Sequence, residues 1–556
     1  MKRLLCYITV LMAEACAFSH QNVSNQTFPT NFLIGAATSA FQIEGAWNES
    51  GKGVSIWDTY VHTRPFIVDG STGDIAADSY HLYKQDIKAL KELGVDLYRF
   101  SISWPRILPT GLLNVVNQAG IDYYSNLINE LKANDIEPMV TMYHWDLPQA
   151  LQDLGGWVNP VIADYFEDYA HLLYTHFGDR VKWWITINEP INIAFGYDGN
   201  ESRAPGVDAR GIGGYLAVHT IIRAHAKAYR LYDKEFRSKQ EGKVSLSIPT
   251  CWFEPVSNST DDAEATEMQM QLTFGLFTHP IYSSEGDYPS RVRDILDRVS
   301  AAQGLRRSTL RHFTNEEILN IRGTYDFFGL NYYSLCFVKS LRSLHDTATS
   351  EFLYADITVS PEWATDDPNF RVAPWGFRKL LNWIKKEYNN VPVFVTENGF
   401  PDGGDILDIG RIKYIVSHMS EIVKAIHEDG CNVTGYTVWS LIDNMEWEKG
   451  YTEKYGLYHV NFSDPNRQRK PKSSAYIFSE ITRKRELPRY FLDITGEFLE
   501  IIPSEIIKER NAQISNSSSS RHNAASWGWK LLTYSKDFLI IMLATVIISC
   551  FVFRSS

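Results

Sequence analysis

Apolar residues follow two alternating patterns along this chain. Short runs rich in β-branched and aromatic residues recur at 32–42, 96–104, 137–146, 181–190, 243–250, 326–334, 391–399 and 433–442. Each run is nearly continuous in its apolar character, as expected of a strand covered on both faces. Between them lie stretches with apolar residues at helical spacing, such as Tyr80-Tyr83-Ile87-Leu90-Leu93, Ile121-Tyr124-Leu127-Ile128-Leu131 and Ile412-Val416-Met419-Ile422-Ile426. Eight such alternations predict an α/β fold with a single (β/α)8 TIM barrel over residues 28–487. No repeat of 20 to 50 residues suggests a solenoid or propeller.

Polar residues fall at or near the ends of these runs: Gln42, Arg99, His144, Asn188 with Glu189, Asn331 with Tyr333, Glu397 and Trp439. In a parallel barrel the strand ends share one face, where an active site is built. Two runs close in the same way, Thr186-Ile187-Asn188-Glu189-Pro190 and Thr396-Glu397-Asn398-Gly399. Each delivers one glutamate to the rim before Pro or Gly turns the chain. Two carboxyl groups on one rim are what glycoside hydrolysis requires, one to protonate the leaving oxygen and one to attack or to activate water.

Composition narrows the partners. The net charge of -12, without a basic block, speaks against nucleic acid. The cysteines expected in the folded body, Cys251, Cys336 and Cys431, are an odd number with neither a disulfide framework nor metal-ligand spacing. His219 and His225 are not at metal-ligand spacing either and read as structural, and no metal or organic cofactor is implied. The run Asp261-Asp262-Ala263-Glu264 reads as a helix start, where negative charge is favoured.

The ends address the chain. Residues 1–17 have Lys2 and Arg3, an apolar stretch and Ala15-Cys16-Ala17, the layout of a signal peptide. Residues 488–537 include the Ser-rich 511–526 and read as a stalk, and 538–553 contain no charge. These features predict a single-pass type I protein of the secretory pathway, in the endoplasmic reticulum or at the cell surface, with its body lumenal or extracellular. A glycolipid-anchor signal at Asn523-Ala524-Ala525 is the alternative to a transmembrane helix. Glycosylation sequons at Asn22, Asn25, Asn48, Asn200, Asn258, Asn432, Asn461 and Asn516 are consistent with a lumenal body, although Asn432 and Asn461 lie close to strands.

The two glutamate motifs, together with Phe41-Gln42-Ile43-Glu44-Gly45-Ala46, Tyr98-Arg99-Phe100-Ser101-Ile102-Ser103-Trp104 and Trp439-Ser440-Leu441-Ile442-Asp443-Asn444-Met445-Glu446-Trp447, resemble the signatures of glycoside hydrolase family 1, in its lactase-like, klotho-related branch. The resemblance implies a retaining mechanism with Glu189 as acid/base and Glu397 as nucleophile, the latter supported by Arg99, Asn331 and Tyr333. It implies that Gln42, His144, Asn188 and Glu446 bind sugar hydroxyls and that Trp439 and Trp447 form an aromatic platform and wall. A carboxylate at Glu446 would repel a 6-phosphate, so the expected substrate is a neutral β-glucoside or β-galactoside, as a small molecule or a glycolipid. Leu276, Met445 and Lys454 depart from the residues common in the family. Klotho-type relatives that have lost catalytic carboxylates serve as binding modules, so a co-receptor that binds a protein or glycan partner is the alternative function.

Overall fold

The computed structural model describes residues 27–340, the strand Asp356–Thr358 and residues 372–488. Nine strands make one sheet: β1 (Leu33–Ala37), β2 (Leu97–Ser101), β3 (Glu137–Tyr143), β4 (Trp183–Asn188), β5 (Lys243–Pro255), β6 (Phe328–Lys339), β7 (Asp356–Thr358), β8 (Val393–Glu397) and β9 (Val433–Trp439). All but β7 are parallel to their neighbours, in the order β5-β4-β3-β2-β1-β9-β8-β6, and β5 also pairs with β6. The eight parallel strands therefore close on themselves, and each is followed by helical chain that covers the barrel's outer face. This double coverage is why the strands carry apolar residues on both faces.

The lower part of the barrel interior is filled by side chains. Leu97, Met139, Ile185, Phe327 and Phe394 form a buried plug, with Leu33 and Trp183 packed against it. Gly435 on β9 makes room for it, since a Cβ there would stand 2.3 Å from the Phe394 ring. The plug forces any site on the barrel axis to the opposite end, above the C-terminal ends of the strands.

Three of the predicted runs differ in extent. The first leaves the ladder at Ala37, and Gln42 lies on a helical turn, Ala40–Ile43. The turn is held where Ser101 Oγ accepts from Ala40 N at 2.7 Å. β5 and β6 run past the predicted ends at 250 and 334, because each supplies the other's backbone partners from Trp252↔Leu335 to Pro255↔Val338. β7 pairs antiparallel to this extension. The acidic run opens the helix Thr260–Met270 behind the N-cap Ser259, as expected. Asn432 and Asn461 do flank strands, and both are exposed.

No helix among the described residues is long and apolar enough to cross a membrane. The expected signal peptide, membrane tail and all but the first residue of the stalk lie outside the described residues.

A buried ion pair ties the loop after β1 to the chain after β2. Arg106 Nε donates to Glu44 Oε2 at 2.8 Å, and Tyr124 Oη donates to Glu44 Oε1 at 2.6 Å. Removing one partner of such a pair leaves an uncompensated buried charge. Arg106→Leu is expected to cost about 3–5 kcal/mol in urea unfolding, and Glu44→Gln in the same chain to restore part of it. A loss below about 1 kcal/mol, the range of exposed pairs, would count against this role for the pair.

Candidate active site

Regular strand alternation would send consecutive residues to opposite faces. At the rim the pairing is irregular instead. The β4–β5 register shifts between Ile185 and Asn188, and the β6–β8 register shifts between Leu330 and Asn331, where Asn331 comes to pair with Glu397. Such irregularities re-aim side chains, here bringing Asn188 and Glu189 into one network. Glu189 itself adopts left-handed backbone geometry, φ 50° and ψ 65°, and is the N-cap of the helix Pro190–Phe195. That conformation is unfavourable for a residue with a Cβ and is characteristic of functional sites. It is fixed by Glu189 N donating to Ser247 O at 2.8 Å and by proline at the first helical position.

At the centre of the network lies Arg99, fully buried. Its guanidinium donates to a Glu397 carboxylate oxygen, to Asn188 Oδ1 at 2.6 Å, to Thr396 O at 2.9 Å and to Thr141 Oγ1 at 3.2 Å. Tyr333 Oη donates to the other Glu397 oxygen at 2.7 Å. Burial, and then the charge of Glu397, push the Tyr333 hydroxyl well above its ordinary range, so it remains a donor. Glu397 is therefore held by charge-assisted hydrogen bonds from one cation and one hydroxyl.

Glu189 has different company. Asn331 Nδ2 donates to one carboxyl oxygen at 2.8 Å and Asn192 Nδ2 to the other at 2.5 Å. Neither is a cation, and burial followed by the negative charge of Glu397 raises Glu189 to about 7. Burial and a negative neighbour thus push Glu189 toward its protonated form while Glu397 sits against a cation, the arrangement that separates an acid from a nucleophile.

The amide of Asn188 faces both ways. Its Oδ1 accepts from Arg99 and from Asn331 Nδ2 at 3.0 Å, so its Nδ2 is the group that faces His144 Nε2, also at 3.0 Å. Burial, and then the charge of Arg99, hold His144 well below the usual histidine range. In the neutral ring, Nε2 accepts from Asn188 and the proton sits on Nδ1. Nδ1 is buried and has no partner among the described residues.

His144 stacks between two indoles, with ring centroids 5.8 Å from Trp439 and 5.9 Å from Trp447. Beyond them, Gln42 Nε2 donates to Glu446 Oε2 at 3.2 Å, to Asn444 Oδ1 at 2.9 Å and to Met445 O at 3.0 Å. Burial, and then Glu453 and Glu448, push Glu446 well above the usual carboxylate range. The loop carrying Glu446 and Trp447 is anchored by the buried pair Lys472–Asp443 at 2.8 Å. All eleven residues singled out in the sequence are thereby linked, seven by the hydrogen bonds around Arg99 and Asn188 and four through His144 stacking and the Gln42–Glu446 pair.

The model of Glycosyl hydrolase family 1 matches residues 24–487. The chain belongs to that family. Myrosinase 1 of Brevicoryne brassicae is 47% identical over 82% of this chain and 98% of its own length. The lactase-like protein of Homo sapiens is 44% identical over 82% of each chain. The solved structure of aphid myrosinase superposes with a TM-score of 0.79 at 47% identity, covering 82% of this chain and 99% of that one. As a member of family 1, the protein is a retaining β-glycosidase, an O-glycosyl hydrolase.

Of the three departures from the family pattern, Met445 touches a site residue. Leu276 is fully buried at the start of the helix Leu276–Tyr282. Met445 meets Gln42 through its backbone, its N donating to Gln42 O at 3.1 Å, so those bonds do not depend on its side chain. The Lys454 ammonium lies 4.4 Å from the Phe462 ring centroid. His225 is structural, its ring between Thr186 Oγ1 and Thr324 O at 2.7 Å each. Among the described residues no acidic, histidine or cysteine cluster is arranged to hold a metal.

Sequence reasoning missed four contributors. Asn192 lies one turn past Glu189, and Trp145 Nε1 donates to Asn188 O at 2.9 Å from a residue with φ 78°. Thr396 Oγ1 donates to Asn331 Oδ1 at 2.6 Å and so orients that amide toward Glu189. Lys472 anchors the Glu446 loop. The signal for Asn192 was its position in the first turn of a helix capped by a catalytic candidate, and that for Thr396 its place in the second glutamate motif; Trp145 and Lys472 carry none.

Because the charge of Glu397 disfavours ionisation of Glu189, Glu397→Gln is expected to lower the Glu189 pKa from about 7. Carbon NMR titration of labelled glutamate carboxyls measures this directly, and an unchanged or higher value would contradict the coupling.

Proposed function

We propose that this protein hydrolyses neutral β-glucosides or β-galactosides by double displacement, with Glu397 as nucleophile and Glu189 as acid/base. The observation that carries the reading is the unequal environment of the two carboxyl groups: an arginine and a tyrosine hold Glu397, whereas two amides contact Glu189, which is raised to about 7.

In the first step a Glu397 oxygen attacks the anomeric carbon while Glu189 gives its proton to the departing glycosidic oxygen. The bond from carbon to the leaving oxygen breaks, a glycosyl ester forms, and Glu397 loses its charge. The negative charge that added to the effect of burial on Glu189 is then gone, so Glu189 ionises more readily and takes a proton from water. The hydroxide equivalent cleaves the ester and restores both residues. Asn188 and His144 hold sugar hydroxyls, Gln42 and Glu446 hold those farther from the anomeric carbon, and Trp439 and Trp447 present flat faces to the ring.

The substrate is a small-molecule glycoside or a glycolipid headgroup. The latter suits a body tethered by a short stalk to a C-terminal membrane anchor in the secretory pathway. That placement rests on the sequence of residues 1–17 and 488–553. The co-receptor alternative calls for a lost carboxylate or an insertion across the cleft, and neither Glu189, Glu397 nor the 191–206 loop supplies one.

The test is to treat the protein with 2-deoxy-2-fluoro β-glucosides and β-galactosides bearing activated leaving groups and to read the labelled peptide by mass. A sugar on Glu397 is expected, and Glu397→Gln is expected to lower kcat by more than about 10⁴-fold. Glu189→Ala should lose about 10²–10⁴-fold on poor leaving groups and much less on activated ones, since those need no proton. Hydrolysis persisting in Glu397→Gln, or a label on another residue, would sink the assignment.

A further inference from the structure

Away from the cleft, the chain gathers positive charge in the turn that follows the helix Ser290–Ala302. A cavity of about 480 Å³ there is lined by Arg306, Arg307, Arg311, His312, Ser308 and Asp297. The three arginines lie within residues 306–311, so the sequence itself concentrates the charge and the fold sets it around a cavity. It stands out on a chain of net charge -12.

The turn is built rigidly. Arg293, buried on the preceding helix, donates to Leu310 O and to Arg311 O at 2.9 Å, and its guanidinium lies 4.9 Å from the Tyr288 ring centroid. Ser300 Oγ accepts from Thr309 N at 3.0 Å, and Leu305 N donates to Ser300 O at 3.0 Å. Phe313 is clamped by stacking on Tyr288 and His219, both at 4.5 Å. Thr314 then caps the next helix in a reciprocal capping box with Glu317. One arginine thus holds the turn, and three others stand exposed on its fixed backbone.

Those three are available. Among the described residues Arg306, Arg307 and Arg311 form no ion pair, and the only carboxylate in the lining, Asp297, faces His312 at 3.3 Å. Ser308 Oγ is a buried atom with no hydrogen-bond partner among the described residues, so the cavity also holds an unused hydroxyl. Planar guanidinium forks match the paired oxygens of a sulfate or phosphate, and arginine, unlike lysine, binds them bidentately.

We propose that this cavity is a binding site for a sulfated polysaccharide chain. Its concavity admits a chain and keeps a flat bilayer away from its floor. The net negative charge of the protein as a whole disfavours a polyanion elsewhere and so directs it here. The site is separate from the hydrolytic cleft and uses none of its residues.

The experiment is a titration of the full-length protein with a heparin-derived octasaccharide at physiological ionic strength, alongside a desulfated octasaccharide and vesicles bearing phosphoinositides. Binding of the sulfated octasaccharide that weakens as salt rises is expected. The combined variant Arg306→Ser, Arg307→Ser, Arg311→Ser should weaken it by about tenfold or more, the loss of at least one charge-assisted hydrogen bond. Replacement of the same three by lysine should fall between, and β-glucoside hydrolysis and the thermal midpoint should not change in either variant. Equal binding by the wild type and the serine variant, equal binding of the desulfated chain, no binding at all, or preference for the vesicles would each overturn the proposal.

Discussion

One buried guanidinium governs the arrangement of the cleft. Arg99 has no solvent to share its charge with, and an isolated charge in such a place would be very costly. Its protein partners must therefore be complete, and they are drawn from three other strands: Thr141 from β3, Asn188 from β4, and Thr396 and Glu397 from β8, around Arg99 on β2. Satisfying one cation thus sets the relative positions of strands that are not all neighbours in the sheet. The apolar plug beneath it supplies the other half of the constraint, since it leaves the network no room to sink into the barrel.

The same cation accounts for the difference between the two glutamates. Arg99 contacts Glu397 directly but reaches Glu189 only through Asn188 and Asn331. A chain of amides transmits geometry well and charge poorly. Glu189 is consequently positioned by the same network that holds Glu397 while feeling mainly its burial and its negative neighbour. Proximity without direct neutralisation is what gives two chemically identical side chains different electrostatic surroundings.

The barrel and the membership of its rim were legible in the sequence because both leave a mark on residue type. Strands covered on both sides must be apolar throughout, and polar residues at their ends stand out against that background. What stayed hidden depends on backbone geometry. Nothing in Asn188-Glu189 announces a register shift, yet without it the two side chains would face opposite ways. Gln42 was read as a strand end because its neighbours are apolar, whereas the Ser101 hydroxyl and the ladder's end turn that segment into a helix. The extensions of β5 and β6 were invisible because their half-exposed residues lack the apolar continuity of the barrel below, and their cohesion comes from backbone pairing. Lys472 reads as an ordinary surface residue in sequence, and only the fold reveals it as the counter-ion of Asp443.

The seam between β1 and β9 bears on how the molecule is made. Leu33 pairs with Gly435, and Ala37 with Trp439, so the first strand waits for the last. At the usual pace of synthesis, about 5–20 residues per second, roughly 400 residues between them correspond to about 20–80 s during which one edge of β1 has no partner. Folding intermediates that display an unpaired strand edge are prone to aggregation, and that interval exposes the nascent chain to it. The wait also orders assembly of the chemistry: Glu189 is synthesised early, Glu397 late, and Glu446 and Trp447 later still. No partly made chain holds a finished cleft.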